Sequence, residues 1–115
     1  MKVISLKDVE KIRPEMEGAE GVLKQVPIGL ADGSPNFSFR VFTIEPGGHT
    51  PYHTHPFEHI NYVIEGRGEI IDGKGDAKAV SPGDFALIKP NEKHQYRNSA
   101  DAPLMVICAV PKEYE

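Results

Sequence analysis

From residue 36 onward the chain alternates apolar and polar positions with a period of two, as strands do when their two faces meet different surroundings. The clearest stretch is 36–45, where Phe37, Phe39, Val41 and Thr43 alternate with Ser38, Arg40, Phe42 and Ile44. Shorter runs predict further strands over 22–28, 52–55, 58–65, 68–72, 77–80, 85–88, 93–98 and 104–110. Turn formers separate them: Ala31-Asp32-Gly33-Ser34-Pro35, Pro46-Gly47-Gly48, Gly73-Lys74-Gly75-Asp76 and Ser81-Pro82-Gly83-Asp84. Only the start departs from this pattern. Residues 5–12 predict a helix of at most two turns, with Ser5 as N-cap and an end before Pro14. Nine short antiparallel strands make an all-β jelly roll or small barrel.

Composition narrows the class. Eleven Gly and ten Pro are spread evenly, so they punctuate strands rather than mark a low-complexity segment. A length of 115 residues is that of one domain. The net charge of −4 is interleaved along the chain and leaves no basic face, so nucleic acid is not an expected partner. No apolar run approaches the roughly 20 residues of a membrane span. Charged residues interrupt the first eight positions where a signal peptide needs an apolar stretch, so the expected location is cytoplasmic. The single cysteine, Cys108, excludes an internal disulfide.

The chemistry lies in the histidines. His53 and His55 share a face of any extended segment, His59 follows beyond the bend Pro56-Phe57, and His94 comes after a long gap. Neutral imidazole suits divalent transition metals, so His53, His55, His59 and His94 are the expected ligands. Glu58 is the alternative to His59. Strand parity favours His59, since its neighbour points the other way. His49 has the same parity but is set apart by Pro51 and belongs on the rim, where it could act as a base. Arg40, in the middle of its strand, is a candidate anchor for a carboxylate or enolate. Cys108, which alternates with Val106 and Val110, is either a small core residue or a redox-sensitive neighbour of the metal.

These residues resemble the cupin superfamily. Gly47, the pair His53 and His55, and Gly66 fit its first motif, with His59 at the position where the family usually carries glutamate. Gly83-Asp84, His94 and Asn98 fit the second, with Lys89-Pro90-Asn91 in place of the usual Pro-x-Gly. The resemblance covers 36–110 of a chain read as one cupin domain over 1–115. It implies a jelly-roll barrel (double-stranded β-helix) around one divalent metal, similar to the small four-histidine cupins. Manganese is the first expectation, with Fe, Cu, Ni and Zn also accepted by such ligands. Ile60, Tyr62 and Ile64 face away from the metal and need covering, by the N-terminal third of the chain or by a second subunit; the resemblance implies a homodimer. Two positions left open on an octahedral ion suit a dioxygenase-like oxidoreductase acting on a small unsaturated or aromatic substrate. A non-catalytic binding or sensing module ranks second and a sugar phosphate isomerase third.

Overall fold

The computed structural model describes residues 1–115. Eight strands form one antiparallel sheet: β1 (Glu20–Ile28), β2 (Phe37–His49), β3 (His59–Glu65), β4 (Gly68–Ile71), β5 (Ala77–Val80), β6 (Phe85–Ile88), β7 (Gln95–Arg97) and β8 (Leu104–Pro111). The order across the sheet is β5-β4-β7-β2-β8-β3-β6, with β1 added on β2. The sheet curls into a half-barrel of the expected jelly-roll kind. No helix is long and apolar enough to cross a membrane.

Three local expectations are corrected. The N-terminal helix is only a 3-10 turn, Leu6–Asp8, because Ser5 makes no side-chain cap and Val9 is already extended. Ile12 then pairs with Lys24 through two backbone bonds of 2.9 and 2.8 Å. Residues 52–55 form no strand. Prolines at 51 and 56 remove the amide donors a ladder needs, and one bridge, His53 to His94, is what remains. Finally, Pro46-Gly47-Gly48 does not end its strand. Gly47 takes φ +80°, and β2 bends there, leaving β8, to which residues 37–44 pair, to reach β7 at Arg97. Asn98 clamps the bend: its Nδ2 donates to Ile44 O and Ala102 O, both at 2.8 Å, and its backbone bonds Gly47 and Gly48.

Register stacks the barrel interior in layers. Ile44 lies opposite Leu104, Phe42 and Val63 both lie opposite Val106, and Arg40 and Asn61 both lie opposite Cys108. The first layers are apolar: Ile44, Leu104, Val63 and Val106 belong to a core with Val22, Ile70, Val80, Ile88 and Tyr96, and Phe42 packs against it. Polar side chains begin with the layer of Arg40, Cys108 and Asn61. The N-terminal segment covers the outside of β1 and β2, where Gln25 Nε2 donates to Leu6 O and Val9 O. It does not reach β3 and β6, whose outward Ile60, Phe85 and Leu87 remain 51%, 75% and 52% exposed.

The turn after β3 depends on Gly66. Its φ is +78°, and a Cβ would sit 2.0 Å from Pro103 O. Gly33 has a similar φ of +72° but open space around it. Gly33→Ala should therefore cost about 1–2 kcal/mol, the left-handed penalty alone. Gly66→Ala should cost clearly more in denaturant titrations, and equal costs would contradict this account.

Candidate metal centre

His53 and His94 are placed by the bridge between them, in which each backbone N–H donates to the other's carbonyl at 3.1 Å. His55 follows in the Pro-bounded loop, which is tied to the opposite loop by Asn91 N–H donating to His55 O at 2.7 Å. Asn91 has φ +65°, the left-handed region that Asn tolerates better than most residues, at the position of the family's usual glycine. His59 opens β3. The ring nitrogens of His53, His55 and His94 include one donor atom each within 4.8 Å of one another. His59 stands beside this trio, with its Nε2 3.2 Å from His94 Nε2 and its ring centroid 4.7 Å from that of His55. Glu58 is exposed, whereas His59 is 6% exposed.

Hydrogen bonds set the tautomers. Nδ1–H of His55 donates to Phe57 O (2.9 Å), that of His94 to Glu92 O (2.8 Å) and that of His59 to Asn61 Oδ1 (3.0 Å). Asn61 is oriented in turn, because its Nδ2 donates to Tyr96 OH at 2.7 Å. Each imidazole is thus left with a bare Nε2 lone pair. The two lone pairs of His59 and His94 face each other at 3.2 Å, a separation that is repulsive unless a cation lies between them. It also suits two imidazole nitrogens on one ion, which at bond lengths of about 2.1 Å stand roughly 3.0–3.4 Å apart. Tying Nδ1–H to an oxygen is how proteins commonly orient metal-bound histidine. The donor set therefore fits a divalent transition metal.

Burial favours the uncharged form of His53, His59 and His94. It pushes His59 from the ordinary 6.5 down to about 3, helped by the neighbouring His94, His55 and Arg40, and it lowers His53 and His94 as well. Burial raises the Tyr96 phenol far above its usual range and also raises the Cys108 thiol.

A cavity of about 120 Å³ opens beside the imidazoles. It has room for on the order of ten water-sized groups, and hence for a small molecule. Met16, Phe42, Ile44, Phe57 and Val106 supply apolar wall, and no Asp or Glu lines it. Arg40 and Cys108 both reach it, and Arg40 donates to Cys108 Sγ at 2.9 Å. Cys108 Sγ also lies 3.2 Å from His59 Nδ1. His49 does not line the cavity: its Nδ1 is 3.1 Å from Thr50 O and its Nε2 3.8 Å from Glu20. The chain bends at Gly47, which carries His49 toward β1 and away from a role as base at the opening. Phe57 stacks on His55 (4.1 Å) and on Tyr114 (4.0 Å), which walls one side with aromatic rings. Asn61 and Tyr96 were not singled out from sequence. Each lies two residues beyond a histidine, a spacing that places it on the same face.

Without metal the folded chain binds fewer protons at these histidines than the unfolded chain. Their contribution to stability is thus full above about pH 6.5 and is lost as pH falls toward 3. Metal-stripped protein should lose unfolding free energy across that window, with a shallower slope in His59→Gln. A flat profile from pH 7 to 4 would contradict the neutral buried imidazole.

The L-ectoine synthase of Hyphomonas neptunium is 35% identical over 82 residues, covering 69% of this chain and 59% of that protein. The (R)-mandelonitrile lyase of Granulicella tundricola is 32% identical over 73 residues, 64% of this chain and 55% of that one. The chain thus spans less than three-fifths of the length of these two relatives. Among solved structures, the polyketide cyclase RemF from Streptomyces resistomycificus superposes with a TM-score of 0.92 at 28% identity, over 96% of this chain and 79% of that one. Residues 40–110 match the family described as Cupin domain, which takes in β2 from Arg40 through almost all of β8, and the chain belongs to that family.

Proposed function

We propose that His53, His55, His59 and His94 together hold one divalent transition metal, manganese first among the candidates, and that the protein is a metal-dependent enzyme of the lyase or cyclase type. Its substrate is a small carbonyl-bearing organic molecule. The observation that carries this reading is the pair of bare Nε2 lone pairs facing each other at 3.2 Å, beside a cavity with no carboxylate in its wall. When bound, such an ion supplies Lewis acidity that polarises a substrate oxygen.

The chain's own groups suit that role. Phe42, Ile44, Phe57 and Val106 exclude water and so strengthen electrostatic interactions within the cavity. Tyr96 keeps its phenolic proton and offers a donor in the wall. No carboxylate base stands in the cavity, so proton removal falls to the substrate's own groups. The similar proteins are named for bond-forming, bond-cleaving and ring-closing reactions, which favours this class over the oxygenase expected from the ligand set alone. The apolar wall supports the oxygenase as a second reading.

The test is a panel of Mn, Fe and Zn forms assayed with 2-oxo acids, cyanohydrins, alkenes and phenols, with and without oxygen. Turnover that persists under strict anaerobiosis is expected, whereas turnover that requires oxygen would move the assignment to an oxygenase. Silence throughout would favour binding or sensing. For the ligands, elemental analysis should find metal content well below one per chain in His59→Ala and His94→Ala, and unchanged in Glu58→Ala. Metal loss in Glu58→Ala with retention in His59→Ala would reverse that assignment.

The same proposal includes a homodimer. Phe39, Ala109, Ile60 and Leu87 are successive cross-strand neighbours over β2, β8, β3 and β6, with Tyr62 and Phe85 paired beside them. Most of this row is exposed, which makes it a continuous apolar surface suited to burial against a second copy. Light scattering should show a dimer that Ile60→Glu with Phe85→Glu converts to a folded monomer. A wild-type monomer at micromolar concentration would overturn it.

A further inference from the structure

Arg40 is a cation without a counter-charge. It sits on the inner face of β2 opposite Cys108, half-buried, and lines the cavity. Of its five N–H groups, one donates to the Cys108 sulfur at 2.9 Å, a weak acceptor. Its Nε is buried with no partner, and no carboxylate lies within 4 Å of the guanidinium. The Phe42 ring under it, 5.0 Å from Cζ, supports the positive charge but supplies no hydrogen bond.

A second cation stands nearby. Burial lowers the pKa of Lys24, on β1, and the Arg40 charge lowers it further, against the raising effect of Glu115; Lys24 Nζ donates to Glu115 O at 2.6 Å. The Glu115 carboxylate is engaged elsewhere, accepting from Ser38 Oγ (2.6 Å) and Leu30 N–H (2.7 Å). A half-buried guanidinium with a buried, unpartnered Nε–H is costly unless something completes it. The natural complement of its planar fork is a carboxylate held by two parallel bonds. Nothing in the wall provides one.

We propose that Arg40 is the specificity-determining anchor for a substrate carboxylate, so that the enzyme acts on small carboxylic acids carrying a second oxygen function a few bonds away. This rests on the metal-enzyme reading above and names its substrate class. The spacing comes from Cys108, whose sulfur touches both the Arg40 guanidinium and the His59 ring. That contact is on the Nδ1 edge of His59, and the Nε2 edge that faces His94 lies one ring width further on, beside the same cavity of about 120 Å³. A short oxo- or hydroxy-acid fits a cavity of that size. A long-chain acid or an uncharged aromatic compound leaves Arg40 uncompensated.

Calorimetry on metal-loaded protein tests this with three acids, pyruvate, lactate and malonate, each against its neutral partner, methyl pyruvate, lactamide and malonamide. Wild-type protein should prefer at least one acid over its partner. Arg40→Gln should weaken that acid about 10- to 100-fold, as loss of a charge-assisted pair does, and leave the neutral partner unchanged. Arg40→Lys, which keeps the charge without the fork, should fall between them. Metal content measured on the same samples separates the two readings: a wild type without metal fails the enzyme proposal, whereas a metal-loaded wild type that prefers none of the acids fails this one. Should Arg40→Gln not fold, Arg40→Lys decides: a folded Arg40→Lys that binds the preferred acid as tightly as wild type would overturn the assignment. Equal affinity of a folded Arg40→Gln for the preferred acid would overturn the assignment.

Discussion

Two imidazole nitrogens that face each other without a proton between them are the constraint on which the site depends. His59 and His94 come from strand and loop segments far apart in sequence, and each has its one proton committed on the far side of the ring. The fold therefore spends stability to hold lone pairs together, and only a cation returns it. Asn61, Tyr96 and the Glu92 carbonyl enforce this arrangement. They form the polar layer that the aliphatic core supports from behind.

The register of three strands decides where that layer lies. Because β3 and β2 both pair with β8, a step of two residues along any of them moves the interior from one layer to the next. Apolar side chains fill the layers of Leu104 and Val106, and the layer of Cys108 is polar on all three strands. Arg40, Cys108 and Asn61 are thus held at one level by backbone pairing, with the Arg40 bond to Cys108 Sγ and the Phe42 ring beneath it helping to keep a guanidinium without a carboxylate in place.

Much of this was legible in the sequence because the period of two is a backbone property. Strand positions, the inward parity of His59 and the outward parity of Ile60 follow from it directly. The failures have local causes. The 52–55 strand was read from side-chain alternation, but Pro51 and Pro56 deny it a ladder. The break at 46–48 was read from Gly and Pro, yet Gly47 serves a bulge that lets β2 continue around the barrel. Pro51 sets His49 apart from the ligands and points to the rim, and that same bulge carries it further, to the Glu20 side. Asn61 and Tyr96 obey the pattern used for the histidines, but an Asn or Tyr carries no chemical signal until the hydrogen bonds are seen. The lack of a counter-charge at Arg40 is likewise invisible in one dimension.

The layering also bears on how such a fold changes over time. Ile44, Val106 and Tyr96 belong both to the core and to the cavity wall, whereas Arg40, Cys108 and the four histidines face the cavity from outside that core. Exchange at those outer positions leaves most of the core untouched. A lineage built this way can try new chemistry with little risk to folding. Relatives with one barrel and differently named reactions are the record such an arrangement would leave.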